Sequence, residues 1–192
     1  MIRWRPTTET ARRAAIAATL VGIVHICITF AMPALTGSNT FKKFAGTLPS
    51  NRLDVLPPIA PGNQPLPFMA PDSRYAVCRY DTTAGSVAVN IGLPDAGWML
   101  ALYSLEGDNF YYVVGQSGRR ISLSLLLVPP SDQVLGTSAE AQPLGPAGPA
   151  GAPVTVATRQ GLLFVRAPER GAAYRQEIEA ELRKARCSLK RA

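Results

Sequence analysis

The sequence predicts an α+β protein, in which an N-terminal transmembrane helix precedes a mainly antiparallel, β-sandwich-like domain closed by a C-terminal helix. Two observations carry this prediction. Residues 14–35 form one long apolar stretch, and short strand-like segments separated by turn residues follow between residues 75 and 167. Short strands at this spacing are typical of antiparallel sandwiches and barrels. We therefore expect one membrane helix and one folded domain.

The apolar stretch at residues 14–35 is predicted to be a transmembrane helix. It contains no Asp, Glu, Lys or Arg, and it holds the only histidine of the chain, His25. At about 1.5 Å per residue the helix would be about 33 Å long, enough to cross a hydrocarbon core of about 30 Å. The alternative is a cleaved secretory signal with a weak cleavage site at Thr29-Phe30-Ala31, but the apolar core of such signals usually spans only about 7 to 15 residues. The length favours a retained anchor.

The charges that flank the span predict its orientation. Residues 1–13 carry four arginines and one glutamate, whereas Lys42 and Lys43 are the first basic residues after the span. Basic residues concentrate on the cytoplasmic side of a membrane. We therefore expect residues 1–13 to form a cytoplasmic basic segment. In a bacterial inner membrane the domain would then lie in the periplasm, with the lipid bilayer as a partner.

The net charge of +7 is concentrated at the two ends of the chain. Residues 1–13 contribute four arginines against one glutamate, and residues 183–192 contribute five basic side chains. The body between them is close to neutral, so a nucleic-acid partner is not expected. A basic C-terminal segment is consistent either with a solvated tail or with contact to anionic lipid headgroups.

Residues 36–73 are predicted to form an amphipathic helix and a Pro-rich strap. Apolar side chains recur at helical spacing, with lysines on the opposite face, so the helix would lie on the membrane surface or dock on the domain. These apolar side chains are Phe41, Phe44, Ala45 and Leu48. Seven prolines at residues 49–71, the segment we call the strap, exclude a helix there. Its apolar side chains predict that the strap packs on the domain; they are Leu66, Phe68 and Met69.

Residues 74–192 are predicted to form the β-rich domain with its C-terminal helix. Alternating or continuous apolar runs bounded by turn residues predict the strands. The predicted strands are residues 75–81, 86–91, 98–105, 110–114, 121–128, 154–158 and 162–167. A helical turn is expected at residues 131–137 and a low-complexity loop at residues 143–153. The apolar stripe of the last helix consists of Tyr174, Ile178, Leu182 and Ala185.

Several short motifs occur in a fixed order along the chain. These are Asn51-Arg52-Leu53 with Leu56-Pro57, then residues 65–69, residues 75–81, Trp98 with Leu102-Tyr103, and residues 107–111. In these motifs the chain resembles the short membrane-anchored members of the domain-of-unknown-function 1254 family. The resemblance implies an α-proteobacterial inner-membrane protein that is often the partner of a second domain of unknown function, number 1214. It implies no reaction.

The residue types outside the span predict no catalytic residue, metal site or cofactor. The only histidine lies in the span, so Ser-His-Asp and Cys-His systems and histidine metal ligands are missing from the domain. Glu106 and Asp108 resemble the paired carboxylates of glycosidases, but Asp, Asn and Gly are also the residues of an ordinary turn. Three function classes stay open: a non-catalytic binding or partner module of the cell envelope, an envelope enzyme using carboxylates and Tyr, and an assembly factor for a membrane complex.

A small recognition surface is predicted around the same turn. Its residues are Trp98, Asp108, Asn109, Phe110 and Tyr111. Exposed aromatic and amide groups beside a strand are suited to binding, whereas a buried Trp98 would serve only the core.

A disulfide is predicted between Cys78 and Cys187. Cys27 lies in the span, which leaves two thiols in an oxidising compartment. The bridge would hold the last helix against a strand. The alternatives are that Cys78 is a small buried apolar side chain with Cys187 an exposed thiol, or that either cysteine acts as a thiol or metal ligand in an assembly factor.

Overall fold

The computed structural model describes residues 7–36, 40–67, 69–130 and 153–190. It divides into two compact units, Met1–Ser38 and Asn39–Ala192. The first unit contains helix α1, Thr8–Thr36, which begins six residues before the predicted span. Within it, Thr8–Met32 is long and apolar enough to cross a membrane. The helical turn expected at residues 131–137 and nearly all of the loop expected at residues 143–153 lie outside the described residues.

The second unit contains two packed β-sheets, as the sequence predicts. Sheet A has the strand order β1-β2-β8-β4-β5 and sheet B the order β7-β6-β3-β9. Every pair of neighbouring strands is antiparallel except β6 and β7, which are parallel. The strands are β1 Arg52–Val55, β2 Ser73–Asp81, β3 Val87–Leu93, β4 Met99–Ser104, β5 Asn109–Val114, β6 Ile121–Val128, β7 Val154–Ala157, β8 Gln160–Pro168 and β9 Arg186–Leu189.

The main core lies between the two sheets. Strand β3 illustrates how the sequence forms this core. Buried and more exposed residues alternate along it, as the pleat of a β-strand requires. Its buried side chains Val87, Val89 and Ile91 meet Leu100 and Leu163 from sheet A. The alternation in the sequence therefore places one face of each sheet in the core.

The outer face of sheet A is covered by helix α2, Thr40–Thr47, and by the strap. Phe44 stacks on Phe164 with ring centroids 6.3 Å apart. Leu66 and Met69 of the strap are buried in the same cluster, as predicted, whereas Phe68 lies outside the described residues. Of the two placements expected for the amphipathic helix, the structure shows docking on the domain. The first residues of the strap also form the edge strand β1, which the sequence did not predict.

Helix α3, Arg175–Lys184, is the predicted C-terminal helix. Ile178 and Leu182 are buried, but Tyr174 is exposed because it precedes the helix in a 3-10 turn, so its assignment to the buried stripe was wrong. The helix is not the last element of the fold. Strand β9 follows it and pairs with β3.

A disulfide joins Cys78 to Cys187, which confirms the predicted pairing. The two Cα atoms are 6.5 Å apart, within the usual range. Cys78 lies in β2 of sheet A and Cys187 in β9 of sheet B, so the bridge links the two sheets, whereas the sequence predicted a link between helix and strand. Neither cysteine is a free thiol, which contradicts their proposed use as a thiol or metal ligand.

Loss of this bridge should destabilise the domain. We expect Cys78→Ala combined with Cys187→Ala to lower the free energy of unfolding by about 2 to 5 kcal/mol, because the bridge closes a long loop in the unfolded chain. Guanidinium unfolding of the full chain, followed by the fluorescence of buried Trp98, measures the change. Cys27→Ala is the control and should leave the midpoint unchanged. An unchanged midpoint in the double variant would contradict the prediction.

Candidate functional site

The five residues of the predicted recognition surface do not share one exposed face. Trp98 and Tyr111 are buried in the core between the sheets, and Phe110 packs against that core. Only Asp108 and Asn109 are exposed. Trp98 therefore serves the core, which is the alternative that the sequence left open.

Trp98 and Asp108 lie at opposite ends of the β4–β5 hairpin. The N–H of Gly115 donates to the Trp98 carbonyl over 2.7 Å at one end, and the N–H of Ser104 donates to the Asp108 carbonyl over 2.9 Å at the other. Ser104 lies six positions after Trp98 along the strand, about 20 Å at about 3.3 Å per residue. A single ligand of ordinary size would not touch both ends.

The hairpin turn satisfies most of its polar groups internally. The N–H groups of Glu106 and Asp108 donate to the Ser104 hydroxyl over 3.1 and 3.2 Å, and this hydroxyl donates to an Asp108 carboxylate oxygen over 3.4 Å. Gly107 has a φ of +100°, and a Cβ there would meet the ring of Phe41 at 3.0 Å. The pattern of Asp, Asn and Gly thus builds a turn that α2 covers on one side.

Glu106 has the ionisation of a surface ion pair and not that of a general acid. Its carboxylate lies 3.2 Å from the Lys42 ammonium, which lowers the pKa of Glu106. A general acid in a glycosidase needs the opposite shift. Among the described residues, the Asp108 carboxylate accepts a hydrogen bond from the Ser104 hydroxyl. The turn therefore presents exposed polar groups that can contact another molecule.

Two tyrosines of the core have pKa values raised by burial. Burial raises the pKa of Tyr80 to about 12, against a smaller opposing effect of its hydrogen bond with Thr158. Burial also raises the pKa of Tyr111. Both phenols stay neutral at physiological pH. Among the described residues no group of three or more His, Cys, Asp or Glu side chains is placed to hold a metal ion.

Asp95 joins three segments at the end of the sandwich where Trp98 lies. One carboxylate oxygen accepts from the N–H groups of Ala96 and Gly118 over 2.8 and 3.1 Å, and the other accepts from Arg170 over 2.7 Å. The hydrogen bond from Arg170, followed by those from the two backbone N–H groups, lowers the pKa of Asp95 to about 2. The sequence analysis missed this role, because nothing in the sequence brings residues 95, 118 and 170 together.

Arg74 is a second polar group that the sequence analysis missed. Its side chain is only 4% exposed, and its guanidinium pairs with Glu179 of α3. The Nε and Nη1 atoms are buried without an acceptor in the part of the chain that the structure describes. A buried arginine loses much of its hydration, and breaking its ion pair would leave the charge without compensation. The pair of Arg74 with Glu179 therefore links β2 to α3. In the sequence Arg74 looks like any charged residue at the start of a strand.

No protein-family model and no curated protein matches the chain. Solved structures resemble it in fold. The VPA0106 protein of Vibrio parahaemolyticus matches 79% of the chain with a TM-score of 0.51 and 11% sequence identity. An uncharacterised protein from Burkholderia cenocepacia matches 67% with a TM-score of 0.40 and 15% identity. The chain spans 35% of the length of each of these proteins, and at such low identity the first likeness shows the fold alone.

Acid should reveal the contribution of Asp95 to stability. Its pKa is about 2 in the folded chain, against an ordinary value of 3.8. Because the folded pKa is the lower one, the contribution is present in full above about pH 4 and is lost as the pH falls towards 2. We expect the urea midpoint of the wild type to fall across this window, and that of Asp95→Asn to start lower and fall less.

The control for this experiment is Arg170→Gln, which removes the strongest donor to Asp95 and should also flatten the acid dependence. If the midpoint of Asp95→Asn falls with the wild-type slope between pH 4 and pH 2, the carboxylate does not join the three segments as described.

Proposed function

We propose that the protein is a single-pass inner-membrane protein with a cytoplasmic N-terminus, and that its β-rich domain is a non-catalytic binding module in the periplasm. The observation that carries the proposal is the disulfide between the two sheets, in a chain that begins with an apolar helix of membrane-spanning length. Disulfides persist in oxidising compartments such as the periplasm and are rare in the cytosol. The excess of arginines before the helix supports the same orientation.

The proposed partner is another envelope protein, of the domain-of-unknown-function 1214 type that the sequence resemblance implies. The ionised Glu106 favours binding over catalysis, because a glycosidase general acid needs a raised pKa.

The orientation can be tested with reporter fusions. Alkaline phosphatase fused after Ala192 should be active in cells, because it folds only where disulfides form, and a fluorescent protein that requires the cytoplasm should be dark at the same position. Changing Arg12 and Arg13 to Glu should reduce phosphatase activity, since it weakens the charge bias. An inactive phosphatase beside a bright cytoplasmic reporter would overturn the orientation.

The partner contact is predicted at the exposed end of the hairpin turn. Asp108→Ala and Asn109→Ala should each weaken capture of a co-expressed domain-1214 protein in detergent by about tenfold, because each removes an exposed polar side chain. Asn90→Ala is the matched control: Asn90 is also exposed but lies on sheet B, and its loss should leave capture unchanged. If the turn variants capture as well as the control does, another surface binds the partner.

A further inference from the structure

Strand β5 is the least protected sheet edge in the described part of the chain. It forms one edge of sheet A, and its six residues, Asn109–Val114, include no charged residue and no proline. The other edge strands are four residues long, and β1 carries Arg52 and Asp54. Proteins usually shorten, charge or cover their edge strands, because unpaired N–H and C=O groups invite another strand. An edge strand without these features is a candidate for pairing with another strand.

The backbone groups of β5 that have no partner in the described part of the chain belong to the residues with exposed side chains. The Gly115 N–H points to β4, where it donates to the Trp98 carbonyl. Because backbone groups alternate along an antiparallel strand, those of Tyr112 and Val114 point away from β4. The side chains of the same two residues are 57% and 53% exposed on the outer face of the sheet. The edge therefore offers hydrogen bonds and apolar contacts together.

The charges at the two ends of β5 are opposite. Asp108 is exposed where the strand begins, and Arg119 is exposed in the turn that follows its end. A second β5 aligned antiparallel brings the acidic end of one strand to the basic end of the other, twice. A parallel alignment brings like charges together. Charge complementarity thus favours a second copy of this chain, related to the first by a two-fold axis.

We propose that two copies of the protein dimerise through β5, with the two strands antiparallel across a two-fold axis near Val113. Tyr112 of each copy then lies opposite Val114 of the other, and aromatic with β-branched pairs are favourable across antiparallel strands. The two copies of sheet A become one continuous ten-stranded sheet. The inference goes beyond the proposed function, because it requires neither the orientation in the membrane nor the partner protein.

The oligomeric state of the purified full chain tests the proposal. By light scattering in detergent, with the mass of the micelle subtracted, we expect a dimer for the wild type and a monomer for Tyr112→Lys. Leu189→Lys is the matched control, because Leu189 is also an exposed apolar residue on an edge strand, β9, and this variant should stay dimeric. A monomeric wild type would overturn the proposal and leave the edge to a different polypeptide. A dimeric Tyr112→Lys would assign the dimer to another surface.

Crosslinking tests the alignment. In a Cys27→Ser background, Tyr112→Cys should give a covalent dimer with a short bismaleimide, because the two copies of residue 112 are diagonal neighbours at about 7 to 8 Å. Leu189→Cys should not. Asp108→Arg and Arg119→Asp should each weaken the dimer, and the double variant should restore it. Efficient crosslinking at residue 189 with none at residue 112, or failure of the double variant to restore the dimer while both single variants remain folded, would refute the antiparallel β5 pair.

Discussion

The fold of the second unit depends on strand β8 being buried on both faces. Leu163 and Val165 point into the core between the sheets, whereas Leu162 and Phe164 point to the opposite face. A strand of this kind needs a cover on each side, since its backbone neighbours β2 and β4 bury only its edges. Sheet B provides one cover, and helix α2 with the strap provides the other. This requirement explains why the Pro-rich strap belongs to the domain.

The polar groups close the ends of this three-layer arrangement. At one end, the Asp95 carboxylate accepts hydrogen bonds from two backbone N–H groups and from Arg170. Beside α3, the buried Arg74 forms an ion pair with Glu179. Each carboxylate already has donors, and each buried phenol is kept neutral. Groups held in this way stabilise a fold but are poorly suited to transfer protons. In the described part of the chain, the surfaces suited to binding are the hairpin turn and the unpaired edge of β5.

The disulfide gives the end of the chain a structural role that its composition hides. Residues 183–192 carry five basic side chains and look like a solvated tail. Cys187 is nevertheless buried, because β9 pairs with β3 and its one inward side chain reaches Cys78 across the core. The bridge thus joins a strand from each sheet at the side of the sandwich where β1 lies beside β9. Disulfides of this kind persist in oxidising compartments.

The sequence by itself determined the apolar helix, seven of the nine strands in the described part of the chain, helix α3 and the cysteine pair. These follow from local patterns: apolar length, alternation between turn residues, helical spacing and the number of thiols outside the span. Strands β1 and β9 were missed because four residues such as Arg52–Val55 are too short to show a period, and they pair only where a neighbouring strand offers an edge. The tertiary structure alone decided that Trp98 and Tyr111 are buried, that Asp95 joins three distant segments, and that β5 is an edge. Each of these depends on which side chains meet from distant parts of the chain, and a local pattern does not contain that information.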